Sequence, residues 1–200
     1  MSAAAEDQQD APEEPYVFPV PPVGGWTADD LDRIPGLPQH TELIDGGLFF
    51  VSPQTIFHMA ALRLLDTALV QHVPDTHYVA REISVKLGPR DRPEPDLMVV
   101  AKSALSGLAQ TWFSPEDVLL AVEIVSPESV HRDRELKPRR YAAAGIRHHW
   151  RVELDDEEQA VLYAYELDPG SGTYALTGIH RKAFTLDQPF PTEIDLSRLV

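Results

Sequence analysis

The longest apolar run of the chain, residues 118–125, is interrupted by one acidic residue, Glu123. Because its apolar positions do not alternate with polar ones, the run predicts a strand buried on both faces of a sheet. A shorter apolar run at 97–100 directly follows Asp96 and predicts a second strand beside the first. An ionised carboxylate in a buried strand is costly unless a cation or several donors meet it. Glu123 is therefore a candidate functional residue.

Two segments have the spacing of helices. Apolar residues recur every three or four positions over 55–70, which predicts the main packing helix. A second helix is predicted from about Glu135 to Ala144, with Gly145 as its C-cap. That start would place Pro138 in the first turn, where its missing N–H is tolerated.

The remaining pattern predicts mainly strands. Asp45-Gly46-Gly47 predicts a hairpin within residues 41–51. Alternation predicts a strand over 78–87, and three further strands are expected at 148–154, 159–167 and 173–179. The order of hairpin, helix, strands, helix and strands predicts an α/β fold with a central mixed sheet, flanking helices and C-terminal antiparallel strands.

The two ends of the chain differ in composition. Residues 1–25 are acidic and rich in proline, which predicts a disordered arm, and residues 26–200 are predicted to form one domain. The 43% of hydrophobic residues is ordinary for a globular protein. The formal net charge of −15 argues against a general nucleic-acid coat, which needs a basic surface, but leaves a local basic site possible.

The sequence also restricts the compartment. The chain has no cysteine, which excludes disulfides and thiolate zinc sites and permits a reducing environment. The N-terminal residues lack the apolar core of a signal peptide, and no stretch approaches the ~20 apolar residues that cross a bilayer. We therefore expect a cytoplasmic protein without membrane contact.

Asp96 and Glu123, on adjacent strands, would form a site of hard oxygen ligands that suits Mg²⁺ or Mn²⁺. Such an ion lowers the pKa of its bound water and neutralises charge that develops on a phosphate. A lysine close to the ion would then orient the attacking water. Two acids and a lysine in this arrangement predict phosphodiester hydrolysis.

Three segments, in this order, carry a resemblance to a known family: Arg92–Val100, Val122–Ser129 and Asp133–Ile146, with Trp150 following. They resemble the Uma-type family of restriction endonucleases, a branch of the PD-(D/E)XK nuclease superfamily, and the resemblance covers roughly residues 40 to 155. It implies a restriction-endonuclease-like fold and metal-dependent hydrolysis of DNA.

The resemblance assigns roles to individual residues. It implies that Asp96 is the acid of the "PD" and Glu123 the acid of the "(D/E)XK", and that both bind Mg²⁺ or Mn²⁺. The lysine expected two positions after Glu123 is absent, because Val125 stands there. The resemblance implies that Lys137 on the following helix takes over its role and assists the attacking water.

Four residues are candidates for supporting roles. Asp133 and Tyr141 lie four positions to either side of Lys137 and so share its helix face. Glu42 in the first hairpin is a candidate third acid, and His58 on the main helix is a candidate contact of the site. The plainer alternatives are a solvated strand carboxylate for Glu42 and a buried structural histidine for His58.

Basic residues concentrate near the second helix. Seven of the 17 lysines and arginines fall within residues 132–151. They predict a phosphate-binding patch, with Arg134, Arg139 and Arg140 as the candidate nucleic-acid contacts. An ordinary solvated helix face is the alternative.

Several alternatives remain open from the sequence. Asp96 fits a plain strand-entry residue, Glu123 a buried acid paired with an arginine such as Arg81, and Lys137 an exposed helix lysine. A catalytically inactive nuclease-fold binding module and a metal-dependent hydrolase of a smaller phosphate ester compete with the endonuclease. An endonuclease that cuts both DNA strands would favour a homodimer with two sites related by a two-fold axis.

Overall fold

The structure, a computed structural model, describes residues 20–51 and 54–199. Most of the arm predicted at residues 1–25 therefore lies outside the described residues.

Elements are numbered in chain order. The strands are β1 (Glu42–Ile44), β2 (Gly47–Phe49), β3 (His77–Arg81), β4 (Ser84–Val85), β5 (Leu97–Ala101), β6 (Trp112–Phe113), β7 (Val118–Ile124), β8 (His148–Leu154), β9 (Ala160–Asp168), β10 (Thr173–His180), β11 (Ala183–Leu186) and β12 (Thr192–Asp195). The α-helices are α1 (Ile56–His72) and α2 (Lys137–Ala143).

A six-stranded sheet forms the centre of the fold, in the order β10-β9-β8-β7-β5-β3. Strands β7 and β8 are parallel, and every other neighbouring pair is antiparallel. Helix α2 lies in the connection between the two parallel strands. The predicted mixed α/β sheet with antiparallel C-terminal strands is confirmed.

The two faces of this sheet carry separate cores. Helix α1 packs on one face, where Leu65 and Leu69 join a cluster with Leu120 and Val122 of β7. Ala121, between those two strand residues, lies in a second cluster with Tyr141 of α2. Because side chains alternate along a strand, Glu123 also faces the α2 side of the sheet.

The predicted strand at 78–87 is wrong in one respect, because it is two strands. Strand β3 ends at Arg81, and Glu82 has a left-handed backbone with φ 51°. A residue in that conformation does not continue an extended ladder. After the break, β4 pairs in parallel with β6, outside the six-stranded sheet.

The predicted start of the second helix near Glu135 is also wrong. Helical backbone begins at Val130 and widens into a π-helical turn over Arg132–Leu136, where the N–H of Lys137 donates to the carbonyl of Arg132. Pro138 follows directly. In a regular α-helix its ring would clash with the carbonyl four residues earlier, and the wider turn accommodates it. The helix ends at Ala143, one residue before the predicted end, and Gly145 follows with a left-handed φ of 82°.

The hairpin at Asp45-Gly46 is confirmed, with left-handed φ angles of 53° and 76° at these two residues.

The sequence pattern predicts no element within residues 180–199, yet β11 and β12 form a two-stranded sheet whose Ile194 joins the core under α1. Among the described residues, no helix has the length and apolar character that crossing a membrane requires.

Candidate active site

The register of the central strands brings the two predicted acids together. Leu97 of β5 lies opposite Val122 of β7, so one step further along this antiparallel pair Asp96 lies opposite Glu123. Both acids line one cleft. The backbone N–H of Ile124 donates to Asp96 Oδ2 at 2.6 Å, which ties the start of β5 to the end of β7.

Glu123 is almost completely buried, with 1% of its surface exposed. Lys137 Nζ donates to its Oε2 at 2.9 Å, and the hydroxyl of Tyr141 donates to its Oε1 at 2.5 Å. Burial raises the pKa of the Glu123 carboxyl well above its usual value, while the positive charge of Lys137 opposes that rise. The carboxylate therefore depends on Lys137 for its charge balance. Arg81, the alternative partner, forms its ion pair with Glu82.

Lys137 lies at the centre of three carboxylates. Its Nζ is 2.7 Å from Glu42 Oε1, 2.9 Å from Glu123 Oε2 and 3.4 Å from Asp133 Oδ1. Burial alone would lower the pKa of this lysine, but Glu123 and Glu42 outweigh burial and raise it well above its usual value. Lys137 is therefore an ammonium group, which donates hydrogen bonds and cannot accept a proton.

Asp96 is held on both oxygens. His58 Nε2 lies 2.9 Å from Asp96 Oδ1, and the N–H of Ile124 occupies Oδ2. Burial lowers the pKa of His58, but the hydrogen bond and the charge of Asp96 outweigh it, so the pKa is raised overall. Helix α1, whose N-cap is Thr55, thus places His58 where it fixes the orientation of Asp96.

Glu42 and Asp133 complete the acidic surroundings of Lys137. Strand β1 brings Glu42 to within 2.9 Å of the backbone N–H of Glu94, which donates to Oε1, and Arg132 Nε lies 3.9 Å from its Oε2. Asp133 Oδ1 has no hydrogen-bond partner among the described residues, and burial raises the pKa of this carboxyl. Sequence reasoning missed Glu94 and Arg132. Glu94 stands two residues before Asp96, and side chains two positions apart in an extended segment point to the same side, so this spacing was the signal that could have identified Glu94.

The three arginines predicted to contact nucleic acid all form ion pairs within the chain. Arg139 is the most exposed of them, with 77% of its side chain accessible. A phosphate at any of these positions would compete with a carboxylate already present. The pairs are Arg134 with Glu153 at 2.7 Å, Arg139 with Glu135 at 2.6 Å, and Arg140 with Asp91 and Asp45, each at 2.5 Å.

The donor set fits a metal ion that keeps most of its water. Within residues 20–51 and 54–199, no group of three or more His, Asp or Glu side chains is arranged to hold an ion. Mg²⁺ is commonly bound by one or two carboxylates, several waters and a substrate phosphate. Each carboxylate oxygen has two lone pairs, so the single hydrogen bond on each oxygen of Asp96 and Glu123 leaves room for an ion.

In this α/β fold, two acids meet at the end of the central strands beside a buried lysine of α2. The family described as "Uma2: Putative restriction endonuclease" matches residues 28–198. The chain belongs to this family, as the resemblance of its three segments predicted.

A solved structure supports the fold. The chain is similar to a crystal structure described as a putative nuclease belonging to DUF820 from Anabaena variabilis, with a TM-score of 0.61 and 14% sequence identity. The match covers 86% of this chain and 96% of the other. No curated protein matches the chain.

Proposed function

We propose that the protein is a metal-dependent endonuclease that hydrolyses phosphodiester bonds of DNA. The observation that carries the proposal is the convergence of Asp96, Glu123 and Lys137 in one cleft, with Lys137 Nζ 2.9 Å from Glu123. Membership of the restriction endonuclease family supports nuclease chemistry.

In this proposal Asp96 and Glu123 hold Mg²⁺ or Mn²⁺, which supplies Lewis acidity and lowers the pKa of a bound water. His58 keeps one oxygen of Asp96 in place. Burial raises the pKa of Tyr141 well above its usual value, so this residue stays a phenol and donates to Glu123 throughout the physiological range.

Lys137 is proposed to act as a charge and a hydrogen-bond donor. Its longest contact is with Asp133 Oδ1, at 3.4 Å and without a hydrogen bond, so the N–H on that side is the one most readily donated to a water or a phosphate oxygen. Hydrolysis adds water across the P–O ester bond and increases negative charge on the phosphate oxygens. An ammonium group beside them stabilises that charge.

The proposal is tested by incubating the purified chain with supercoiled, linear and single-stranded DNA in Mg²⁺ or Mn²⁺. We expect cleavage by the natural protein and a loss of about a hundredfold or more in Glu123→Gln and Lys137→Ala. Glu116→Gln, at an exposed acid outside the cleft, serves as the control and should retain activity. Circular dichroism confirms that each variant is folded. Absence of cleavage of every DNA, or full activity in Glu123→Gln, contradicts the proposal.

Two observations favour other candidates. Val125 in the usual lysine position favours a catalytically inactive nuclease-fold module, which would bind nucleic acid or protein without hydrolysing it. The small volume of the cleft, about 60 Å³, favours a smaller phosphate ester as the substrate. Faster turnover of p-nitrophenyl thymidine phosphate than of any DNA would establish the second alternative.

We also propose that residues 26–200 act as one domain, in the cytoplasm, as a homodimer. Two sites related by a two-fold axis match the symmetry of a double-stranded substrate. Sedimentation equilibrium tests the dimer, and a monomer at concentrations that support cleavage contradicts it.

A further inference from the structure

A second pocket, of about 300 Å³, lies on the other side of the segment that carries Lys137. Asp133 and Lys137 line the acidic cleft, whereas Arg134 and Pro138 of the same segment line this pocket. We propose that it binds one unstacked nucleotide of a nucleic-acid strand. Its lining includes the aromatic His149, Tyr165 and Tyr174 and the basic Arg134, Arg139 and Arg151.

The aromatic rings supply a wall suited to a nucleobase. His149 and Tyr165 are stacked, with ring centroids 5.7 Å apart and an angle of 22° between their planes. Tyr174 lies 5.5 Å from His149, and its hydroxyl donates to the carbonyl of Ile146, which fixes the ring. Stacking of a base on an aromatic side chain contributes roughly 1–3 kcal/mol and tolerates any base.

His149 offers an acceptor that has no partner. Only 1% of this residue is exposed, and its Nδ1 lies 3.1 Å from the carbonyl of Ala121. A carbonyl accepts, so Nδ1 carries the proton and Nε2 is an acceptor, which lacks a hydrogen bond among the described residues. Nε2 also has almost no exposed surface. An amino group or ring N–H of a base is the kind of donor that this acceptor lacks.

The arginines supply the charge for a phosphate. Arg134 and Arg151 share Glu153, at 2.7 and 3.3 Å, so two guanidinium groups are balanced by one carboxylate. Arg139 projects furthest into solvent and pairs with Glu135, which also lines the pocket. Guanidinium groups bind phosphate oxygens through paired hydrogen bonds, so Arg139 is the residue best placed to turn from Glu135 to a phosphate.

The pocket is one strand away from the cleft. Arg151 of β8 lies directly beside Glu123 of β7 in the parallel pair, and neighbouring strands are about 4.8 Å apart. A strand of nucleic acid that passes the acidic cleft would therefore bring a nearby nucleotide to the aromatic wall. Nucleotide binding itself needs only the residues of the pocket and no metal ion.

The test is isothermal titration calorimetry of the full chain in EDTA with deoxyadenosine monophosphate. We expect saturable binding at one site, with deoxyadenosine and inorganic phosphate each binding about tenfold or more weakly because each lacks half of the contacts. Arg139→Ala should weaken binding about tenfold. Tyr165→Leu should weaken the monophosphate and the nucleoside but leave phosphate unchanged.

Arg147→Ala is the matched control. Arg147 is also an exposed arginine paired with a glutamate, Glu166, but it lies outside the pocket, and its variant should bind as the natural protein does. No saturable binding, phosphate binding as tightly as the monophosphate, or equal weakening in both arginine variants would overturn the inference. Because EDTA removes divalent ions, a cleft that proves inactive as a nuclease does not affect the outcome.

Discussion

At the scale of single residues, the charge balance of the cleft depends on Lys137. This one ammonium group faces Glu42, Glu123 and Asp133, all of which are almost fully buried. Burial raises the pKa of both Glu123 and Asp133, and Lys137 lowers it. The cluster is therefore stable only as a set, because removing the cation leaves buried carboxylates without compensation.

Lys137→Met is expected to lower the free energy of unfolding by about 3–5 kcal/mol at pH 7. Without the cation the carboxyl pKa values rise further, so the folded state binds more protons than the unfolded state and stability falls as pH rises. The deficit should therefore be smaller at pH 5 than at pH 8. Urea unfolding across that range measures it.

Lys102→Met is the control for this experiment, because Lys102 is exposed and its Nζ contacts only the carbonyl of Asp75 among the contacts described. Its variant should be within about 0.5 kcal/mol of the natural protein. Equal stability of both variants would show that Lys137 does not compensate buried charge.

His149 gives a second prediction, on pH dependence. Burial lowers the pKa of His149 to about 3, far below the value of an unfolded histidine. Between these two values the unfolded state binds a proton that the folded state does not, so stability falls as pH falls. The free energy of unfolding of the natural protein, measured relative to that of His149→Leu, should therefore fall by about 1.4 kcal/mol for each pH unit below 6. A difference that is constant from pH 7 to 4 contradicts the buried neutral imidazole.

Part of this residue-level arrangement could be predicted from sequence. Spacing of four along a helix placed Asp133, Lys137 and Tyr141 together, and alternation placed Glu123 in a buried strand. The contact between Glu42 and Lys137 could not be predicted from spacing, because the two residues are 95 positions apart and meet only in the folded chain. The partnerless Nε2 of His149 likewise depends on tertiary packing.

At the scale of elements, hydrophobic period and turn chemistry predicted α1, β5, β7 and the β1–β2 hairpin. The π-helical turn before Pro138 was missed because a proline in a helical pattern permits either a late helix start or a widened turn. The break at Glu82 was missed because a left-handed glutamate has no sequence signature.

Substitution of Gly46 tests how Arg90 stabilises the hairpin that carries Glu42. A Cβ at Gly46 would lie 2.7 Å from Arg90 Nη2, which donates a hydrogen bond to the carbonyl of Asp45. The methyl group of alanine would therefore displace the guanidinium group and break this hydrogen bond. Gly145 has a similar φ, 82° against 76°, but open space around its Cβ position. Gly46→Ala should therefore lower the free energy of unfolding by about 1 kcal/mol more than Gly145→Ala. Thermal and urea unfolding compare the two, and equal losses contradict the role of Arg90.

At the scale of the whole molecule, a formal charge of −15 opposes binding of DNA. Residues 1–19 contribute five acidic residues and no basic one. Deleting them should raise the affinity for DNA, most strongly at low salt, because charge repulsion between separated groups is screened as ionic strength increases. Fluorescence anisotropy at two salt concentrations measures the effect, and unchanged affinity at low salt shows that the arm does not modulate binding.

The fold brings Asp96 and Glu123 together from strands that are separate in sequence, and we propose that the two acids act as one ion-binding site. Calorimetric titration with Mn²⁺ tests this most directly, using the natural protein, Asp96→Asn, Glu123→Gln and the exposed control Asp75→Asn. We predict one Mn²⁺ site that is present in the natural protein and in Asp75→Asn and lost in both cleft variants. Mn²⁺ binding that persists in Asp96→Asn and Glu123→Gln, or that is absent from the natural protein, would contradict a shared ion site at these two acids.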